Sequence, residues 1–517
     1  MPRAAWWCST PQPRARSSDR SALGSDRPVP GFGWAGAVAP ILILFFPGLA
    51  AGEEPVTRPN IDRTEGARTV SLNGRSFVNL GLVGAGRLPA DTPDFLGDTL
   101  GSFSSLQVAP GSWARIGDHY EAILWTLPDR GRNDPDAKLF FDYPARLHRF
   151  RIRFTPADGR VSLVPDGGLE LRDFRGRPFT GADPGAGTLK QRGMLLPAPA
   201  GGVGAGKVSL DAESLQFARD GSFYVGDEYT ANIYYFDPRG RLRGVIRPPA
   251  AIVPRCDGRP YFGSLQPPET GRRNNQGVEG MSLSPDGRRL FVALQSALVQ
   301  DSAAGNAAGR TATRVLVYDV GRTPVPVRPI AHHVVQLPAY DDAGGGGPPD
   351  RTAAQSEIRA IDDRSFLMLA RDGAGRGAGG KAPIVYKSVL LVDLAGATNL
   401  AGSGYETGSA SLLRDPAGTA LRPGIVPAAR VELVNLLNPA QLARFGLDID
   451  ALSEKWEALD LVPALDPDHP DDHFLIVGND NDFIARHCRM SGRSCDSAID
   501  NDSRILLYRL RLPRTAG

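Results

Sequence analysis

The sequence is poor in histidine and cysteine, which often build catalytic and metal sites, and it has almost no net charge. Its 517 residues include 7 histidines and 4 cysteines, and the histidines form no H-E-x-x-H or similar ligand motif. The 59 lysines and arginines nearly balance the 57 aspartates and glutamates, for a net charge of +2. Without a broad basic surface, a nucleic-acid partner is not expected.

Two widespread enzyme signatures are also missing. There is no G-x-S-x-G nucleophile elbow, which argues against a serine hydrolase of the α/β type. There is no G-x-x-x-x-G-K-[ST] loop, which argues against a P-loop enzyme. Any function that depends on charge must therefore come from local groups of side chains.

The N-terminal region has the layout of a secretory signal. Residues 35–51 read AGAVAPILILFFPGLAA, an uncharged apolar stretch that ends in small residues and follows several arginines. Pro40 and Pro47 interrupt it, and it is shorter than the ~20 residues of a membrane span. We predict that residues 1–52 are a signal segment and that the protein is exported, either to the periplasm or outside the cell. A retained anchor is the alternative; we expect no transmembrane domain in the mature chain.

The cysteine positions agree with export. Cys488 and Cys495 lie close together in the loop sequence HCRMSGRSCD, which predicts a local disulfide in an oxidising compartment. A zinc site that includes His487 is the alternative, but no second ligand pair follows at zinc-finger spacing. Cys256 is then expected to be unpaired.

What the sequence does have is turns and repeats. The 60 glycines and 44 prolines indicate many turns. Residues 211–228 (DAESLQFARDGSFYVGDE) and 277–294 (GVEGMSLSPDGRRLFVAL) each read as a strand, a tight Asp-Gly turn and a second strand. Weaker copies occupy 104–129, 356–372 and 455–480. Five hairpin units are therefore visible.

Further strand-like runs follow the hairpins at matching positions, at 147–154, 232–237, 314–320, 386–394 and 504–512. Two inner and two outer strands per unit, repeated around an axis, make a propeller blade. We predict an all-β protein: a single β-propeller domain over residues 53–517 with five or six blades. The segment 69–83 is expected to complete the last blade, and residues 438–455 to form a short helical insertion.

Four glutamates take equivalent places in the repeats, just before the apolar start of a strand: Glu213, Glu279, Glu357 and Glu457. Rotation about a propeller axis brings equivalent positions onto one ring, so their carboxylates should approach each other. Like charges gathered in this way need cations. Ca²⁺, which binds six to eight oxygen ligands, is one candidate, and nearby basic side chains are the other. A structural reading, in which each glutamate caps amides or pairs with an arginine of the next blade, stays open.

The second strands of the hairpins end in polar residues as well. Asp227 and Glu228 follow one, Asp372 follows another, and Asp480 and Asp482 lie in the run GNDNDF. These residues are candidate metal ligands. Asx-rich turns explain the same pattern without a ligand.

Taken as an ordered set, five motifs resemble a known family. They are DAESL with GDEYTANIYYFD, RRNNQGVEGMSLSPDG, SEIRAIDDRSFLMLARD, KWEALDL and GNDNDF. The set, over residues 70–512, looks like the phytase-like family described by an esterase-like activity, exported bacterial propeller proteins. Two departures are Ala458, where the family more often has Gly, and Ser104-Ser105 in the first repeat, which has no Glu.

The resemblance implies a hydrolase of phosphoesters or related esters that acts on a small molecule. It assigns catalysis to Glu213, Glu279, Glu357 and Glu457, substrate binding to Arg273, Asn275, Arg371 and Lys455, and metal binding to Asp227, Glu228, Asp372, Asp480 and Asp482. Calcium is the expected cofactor, and the protein is expected to be a monomer. The competing hypothesis is a non-catalytic propeller of the cell envelope that binds a ligand or a metal.

Overall fold

The computed structural model describes residues 54–101, 103–134 and 138–513, so the predicted signal segment lies outside the described residues. The described chain is built almost entirely from strands. Its helices are α1 (Gly404–Thr407), α2 (Pro439–Ala443) and two single 3-10 turns, Val299–Asp301 and Ile449–Ala451. None of these is long and apolar enough to cross a membrane.

The strands are short, as the many turn residues require. The first are β1 (Arg68–Leu72), β2 (Arg75–Leu88), β3 (Ser105–Val108), β4 (Ala114–Ile116), β5 (His119–Leu127), β6 (Arg146–Thr155), β7 (Arg160–Glu170), β8 (Thr188–Gln191) and β9 (Met194–Pro197). Next come β10 (Ala212–Phe217), β11 (Phe223–Asp227), β12 (Ile233–Phe236), β13 (Leu242–Ile246), β14 (Arg255–Cys256), β15 (Arg259–Pro260), β16 (Val278–Leu283), β17 (Arg289–Leu294), β18 (Ala312–Asp319), β19 (Ala331–Gln336), β20 (Ala339–Tyr340) and β21 (Arg351–Thr352). The last are β22 (Ala354–Ala360), β23 (Ser365–Arg371), β24 (Lys387–Asp393), β25 (Ala429–Asn435), β26 (Lys455–Pro463), β27 (Asp472–Asp480), β28 (Arg489–Met490), β29 (Arg493–Ser494) and β30 (Ser503–Arg511).

Three four-stranded antiparallel sheets follow the chain in order: β10 to β13, β16 to β19 and β22 to β25. A larger sheet has the strand order β26-β27-β30-β2-β7-β6-β5-β3, with β1 and β4 at its margins. The strand pairing that joins its two halves is between β2 and β7, which run parallel at Ala85↔Arg160 and Gly86↔Val161. A Cβ on Gly86 would lie 2.5 Å from the Val161 carbonyl, so glycine allows this contact.

The first strands of the five predicted hairpins, β3, β10, β16, β22 and β26, contact each other in a closed cycle. Between each adjacent pair of four-stranded units lies a separate hydrophobic cluster, for example Phe217, Phe223 and Leu147 in one and Trp456, Leu369 and Val477 in another. Apolar side chains on both faces of every unit therefore pack against its two neighbours. This arrangement confirms the predicted all-β propeller. The choice between five and six blades stays a prediction, and the inner strands of the described chain number five.

The ring closes through the N-terminal part of the described chain. β2 pairs antiparallel with β30, so it completes the unit that β26, β27 and β30 begin. This confirms the expected closing role of segment 69–83. The helical insertion expected at 438–455 is also present, but only as α2 and the 3-10 turn Ile449–Ala451.

The predicted disulfide Cys488–Cys495 is present, with a Cα–Cα distance of 4.8 Å. It joins the hairpin β28–β29 to a small cluster that includes Tyr143 and Phe483. Cys256 is not a free thiol, so the expectation that it is unpaired is wrong.

Candidate functional site: an acidic cluster on the propeller axis

The inner strands present their side chains to the axis in three layers. A bulge interrupts the pairing of β10, β16, β22 and β26 at the same place, so one residue of each strand has no partner across the hairpin. We call these residues, with Ser104 of the first unit, the upper ring: Ser104, Glu213, Glu279, Ser356 and Glu457. The next residues form the middle ring: Ser105, Ser214, Gly280, Glu357 and Ala458. Two residues further, on the same strand face, lies the lower ring: Gln107, Gln216, Ser282, Arg359 and Asp460.

Three of the four predicted glutamates meet in the upper ring. Carboxylate oxygens of Glu213, Glu279 and Glu457 all lie within 4.8 Å of one another. Their exposed fractions are 7%, 2% and 2%. Burial and the neighbouring carboxylates raise the pKa of Glu213 and Glu279 well above the usual range. The prediction from the repeat register, that equivalent carboxylates converge, is therefore confirmed for these three residues.

The group continues along the blade ends. Asp129 lies close to Asp211 and Glu213, and also to Asp480 and Asp482. Glu228 interacts electrostatically with Glu279 and Glu457. We call the whole set the acidic cluster: Asp129, Asp211, Glu213, Glu228, Glu279, Glu457, Asp480 and Asp482. Burial raises the pKa of Asp129, Asp211 and Glu228 to about 7 and that of Asp480 well above its usual range.

Four basic side chains compensate part of this charge, and one of them, Arg272, interacts electrostatically with Glu228 and Asp211. Arg130 lies 2.8 Å from Asp211, and Lys455 lies 2.7 Å from Asp482 and 3.7 Å from Asp480. Arg371 pairs with Glu457 and donates to Ser356 Oγ at 3.2 Å. The predicted basic residues Arg371 and Lys455 therefore do lie at the cluster, and its eight carboxylates outnumber these partners.

Several buried oxygens of the cluster lack a partner. Both carboxylate oxygens of Glu228, Oε2 of Glu279 and Oε2 of Glu457 accept no hydrogen bond within the described ranges. An unpaired buried carboxylate costs several kcal/mol unless it is protonated or neutralised. A set of converging, unpaired oxygen atoms is what a hard divalent cation such as Ca²⁺ prefers. The residues present thus fit such an ion, and the side chains that would hold it are Glu213, Glu279 and Glu457, whose oxygens converge.

Glu357 does not belong to this group, which corrects its prediction as the fourth catalytic carboxylate. The bulge in β22 falls on Ser356, so Glu357 moves one position on, into the middle ring. There it accepts hydrogen bonds from Ser105 Oγ (2.5 Å), Ser214 Oγ (3.1 Å) and the Met281 amide (2.9 Å). The other middle-ring residues are small, so this one carboxylate fills the axis and joins three other inner strands. Burial raises its pKa to about 8.

Two predicted metal ligands have structural roles instead. Asp227 accepts from the amides of Thr230 (2.9 Å) and Asp211 (3.1 Å) and from the Thr230 hydroxyl. Asp372 accepts from the Tyr386 amide (2.8 Å) and from Lys387 Nζ (2.8 Å), among other donors. Their oxygens are occupied because both residues close the turn after a second strand. Glu228, Asp480 and Asp482, the other predicted ligands, are part of the acidic cluster.

The predicted substrate residues Arg273 and Asn275 do not face the cluster. Arg273 donates to the carbonyls of Ala297 (3.0 Å) and Leu298 (3.3 Å), and Asn275 is exposed in a turn with φ 51°. The preceding residue, Arg272, is fully buried and donates to the carbonyls of Tyr229 and Phe262. It therefore ties the chain between β15 and β16 to Tyr229, the residue after Glu228.

The sequence-based list missed Asp129, Arg130 and Asp211. Asp129 and Arg130 come just after β5, the second strand of the first repeat, and Asp227 and Glu228 lie at the end of β11, the second strand of the next repeat. Asp211 precedes the Ala-Glu-Ser of its motif. The signal in the sequence for Asp129 and Arg130 is their position, which is equivalent to that of Asp227 and Glu228 in the next repeat. The signal is weak because the first repeat carries no glutamate.

One cavity lies away from the acidic cluster. A cavity of about 790 Å³ lies at the other end of the axis, beyond the lower ring. The cluster itself is almost completely buried, and its carboxylates converge there. The middle ring separates these two ends.

The comparisons with known proteins agree with the motifs. The family model described as phytase-like, "Esterase-like activity of phytase", matches residues 100–483. An uncharacterized secreted protein of the fungus Arthroderma benhamiae is 34% identical over 484 residues, covering 83% of this chain and 90% of that protein. This relative is fungal, and no similarity found here indicates a bacterial origin.

Similarity to solved structures is low in both sequence identity and TM-score. A PQQ-bound aldose sugar dehydrogenase from Streptomyces coelicolor is 11% identical, covers 89% of this chain and 97% of its own, and gives a TM-score of 0.24. The WD40 domain of coronin from Toxoplasma gondii is 11% identical, covers 90% of each chain, and gives a TM-score of 0.27. The propeller architecture follows from the sheet topology itself.

Proposed function

We propose, from the fact that this chain belongs to the phytase-like family, that it is an exported, metal-dependent hydrolase of phosphoesters or related esters. The observation that carries the proposal is the set of buried, unpartnered carboxylate oxygens at the upper ring. Export is supported by the signal-like segment 1–52 and by the secreted relative.

The acidic cluster would hold the cation through Glu213, Glu279 and Glu457. A bound divalent ion would supply Lewis acidity toward the ester oxygen and lower the pKa of water. Calcium is the proposed ion because all available ligands are oxygens.

The chain's own residues would provide proton transfer and anion binding. Glu228 has two unpartnered oxygens and a pKa near 7, which suits a group that takes or gives a proton near neutral pH. Arg371 and Lys455 supply positive charge at the same place, and the planar guanidinium of Arg371 suits a phosphate or carboxylate group. Both are held by carboxylates before substrate binds.

One observation favours the second candidate, a propeller that binds a metal without catalysis. Glu228 and Glu279 are each only 2% exposed, so protein groups close these carboxylates off from solvent. An ion ligated only by the protein would leave no position for substrate. The two candidates differ in whether metal and ester turnover occur together.

The experiment is metal analysis of the purified mature chain, followed by hydrolysis assays with p-nitrophenyl phosphate, bis(p-nitrophenyl) phosphate and p-nitrophenyl acetate, each with and without chelator. We expect about one equivalent of divalent metal and chelator-sensitive turnover of at least one substrate. Glu279→Gln should lose both. The control is Glu432→Gln, on the outer strand β25, which should keep both. Metal without turnover supports the non-catalytic candidate, and a metal-free protein contradicts the metal site.

A further inference from the structure

The cavity at the other end of the axis has the dimensions of a ligand site. Its volume of about 790 Å³ falls within the ~300–1,000 Å³ typical of small-molecule sites. Four lower-ring side chains, Gln107, Gln216, Arg359 and Asp460, line its inner end. Hairpin turns of the blades, including those at Asp220 and Asp286, form its mouth.

This cavity is independent of the acidic cluster. Glu357 occupies the axis between them and is hydrogen-bonded to Ser105, Ser214 and the Met281 amide, which belong to three other units. Its carboxylate is fully buried. A ligand in the cavity therefore does not touch the residues assigned to hydrolysis.

The inner end of the cavity is a preorganised polar floor whose charges are already paired. Arg359, 7% exposed, donates to Gln216 Oε1 at 2.8 Å and to the Leu459 carbonyl at 3.0 Å. Its Nε lies 3.2 Å from Asp460 Oδ1, and Asp460 also accepts from the Val108 amide at 2.6 Å. Since Arg359 is committed to these partners, the floor offers no free positive charge for an anion.

Donors and acceptors remain free around this floor. Gln107 uses Oε1 to accept from the Phe217 amide, and its Nε2 makes no hydrogen bond within the described chain. Asp220 and Asp286 each use one oxygen for their own turn. Hydrogen bonds from Ser222 and Ser284 lower the pKa of these two carboxyls, so both stay ionised. Neutral hydroxyl groups, which donate and accept, match this set. Arg219 also lines the cavity and donates to the Pro285 carbonyl at 2.8 Å, so the two turn carboxylates outnumber it and disfavour an anionic ester.

Apolar and aromatic side chains form the walls. Trp113, Phe217 and Tyr235 line the cavity. Trp113 stacks on Tyr120 with ring centroids 5.2 Å apart, and its indole nitrogen donates to the Pro463 carbonyl at 2.9 Å. The ring is therefore held in place, and it presents a rigid apolar surface beside the polar groups.

We propose that this cavity binds a neutral polyhydroxylated ligand, a sugar ring or a short saccharide, independently of the acidic cluster. Hydroxyls would pair with Gln107 Nε2 and with the free oxygens of Asp220 and Asp286. The apolar face of the sugar ring would lie against the aromatic wall.

The test uses the mature chain labelled with ¹⁵N-tryptophan and titrated with glucose, cellobiose or myo-inositol, with myo-inositol hexakisphosphate as the charged comparison. Trp113→Phe assigns the Trp113 indole resonance. We expect a neutral ligand to shift that resonance and to leave that of the fully buried Trp456 unchanged. Trp113→Ala and Asp286→Ala should each weaken binding about three- to tenfold.

The matched control is Asp363→Ala, an exposed turn aspartate of the fourth hairpin that does not line the cavity. It should bind as the wild type does. If Trp113→Ala does not fold, as judged by circular dichroism, Asp286→Ala carries the test. The proposal is overturned if no neutral ligand shifts the Trp113 resonance at millimolar concentration, if only the hexakisphosphate does, or if the cavity variants bind like the control. Removing metal or changing Glu279→Gln should leave the titration unchanged, so failure of the hydrolase proposal is distinguishable.

Discussion

Glu357 gives the sharpest test of the three-ring arrangement. It is a fully buried carboxyl whose pKa rises from an ordinary value of 4.5 to about 8 because it is removed from water. Its neighbours are two serine hydroxyls, which can donate or accept, and two backbone amides. A glutamine of the same shape should satisfy them without carrying a charge.

The sign of the effect follows from proton binding. Between pH 4.5 and about 8 the folded state holds a proton on Glu357 that the unfolded state releases, so this group makes stability fall as pH rises. The contribution is fully present below pH 4.5 and is lost as pH passes about 8. At about 1.4 kcal/mol for each tenfold change in proton affinity, its upper limit is about 5 kcal/mol. Over the range from pH 5.5 to 8.5, we expect the wild type to lose about 2–3 kcal/mol more than Glu357→Gln.

The measurement is urea unfolding of both mature chains across this pH range, with chelator present so that metal binding does not contribute. Asp129, Asp211 and Glu228 titrate in the same range, but they are common to both chains and cancel in the difference. Glu357→Ala serves as the packing control. It should be destabilised at every pH, by about 2–3 kcal/mol, since it leaves a void and unpaired serines. Equal pH dependence in the wild type and Glu357→Gln would refute the placement of this carboxyl.

The other predictions concern the metal, the turn aspartates and the disulfide. Ca²⁺ at about 100 times its dissociation constant should raise the free energy of unfolding of the wild type by about 2.7 kcal/mol and leave that of Glu279→Gln unchanged. Equal melting temperatures of the wild type with and without chelator would count against the metal site. Asp372→Asn should lower the free energy of unfolding by about 3 kcal/mol, because it leaves the fully buried Lys387 without its carboxylate partner. The metal content, measured by elemental analysis, should not change, and loss of metal would restore Asp372 as a ligand. Cys495→Ser should lower stability by about 2 kcal/mol in thermal melts, and an unchanged melting temperature would show that the short loop is not constrained by the bond.

Much of the architecture could be predicted from local patterns. Apolar alternation and Asp-Gly turns define the hairpins around Glu213 and Glu279, and the runs after them became the outer strands β12 and β18. The short spacing of Cys488 and Cys495 predicted their bond. These features depend on neighbours within one unit, where side-chain period and turn chemistry act over a few residues.

The site was predictable only in part, because its geometry depends on where each strand bulges. In β10, β16 and β26 the unpaired residue is a glutamate, whereas in β22 it is Ser356. One residue of register decides whether a carboxylate joins the upper ring or fills the axis below it. Nothing in the sequence SEIRA marks this shift.

The sequence alone determined the repeat, the family, and the convergence of Glu213, Glu279 and Glu457, since equivalent positions must meet around an axis. Only the tertiary structure decided which polar groups stay available. Asp227, Asp372 and Arg273 have the same residue types as functional groups, but backbone amides and carbonyls of neighbouring segments occupy their hydrogen-bonding atoms. Glu228 is left unpaired for the opposite reason: among the described residues no donor reaches its buried oxygens. Residue type sets what a side chain can bind, and the packing of distant segments sets whether that capacity is already used.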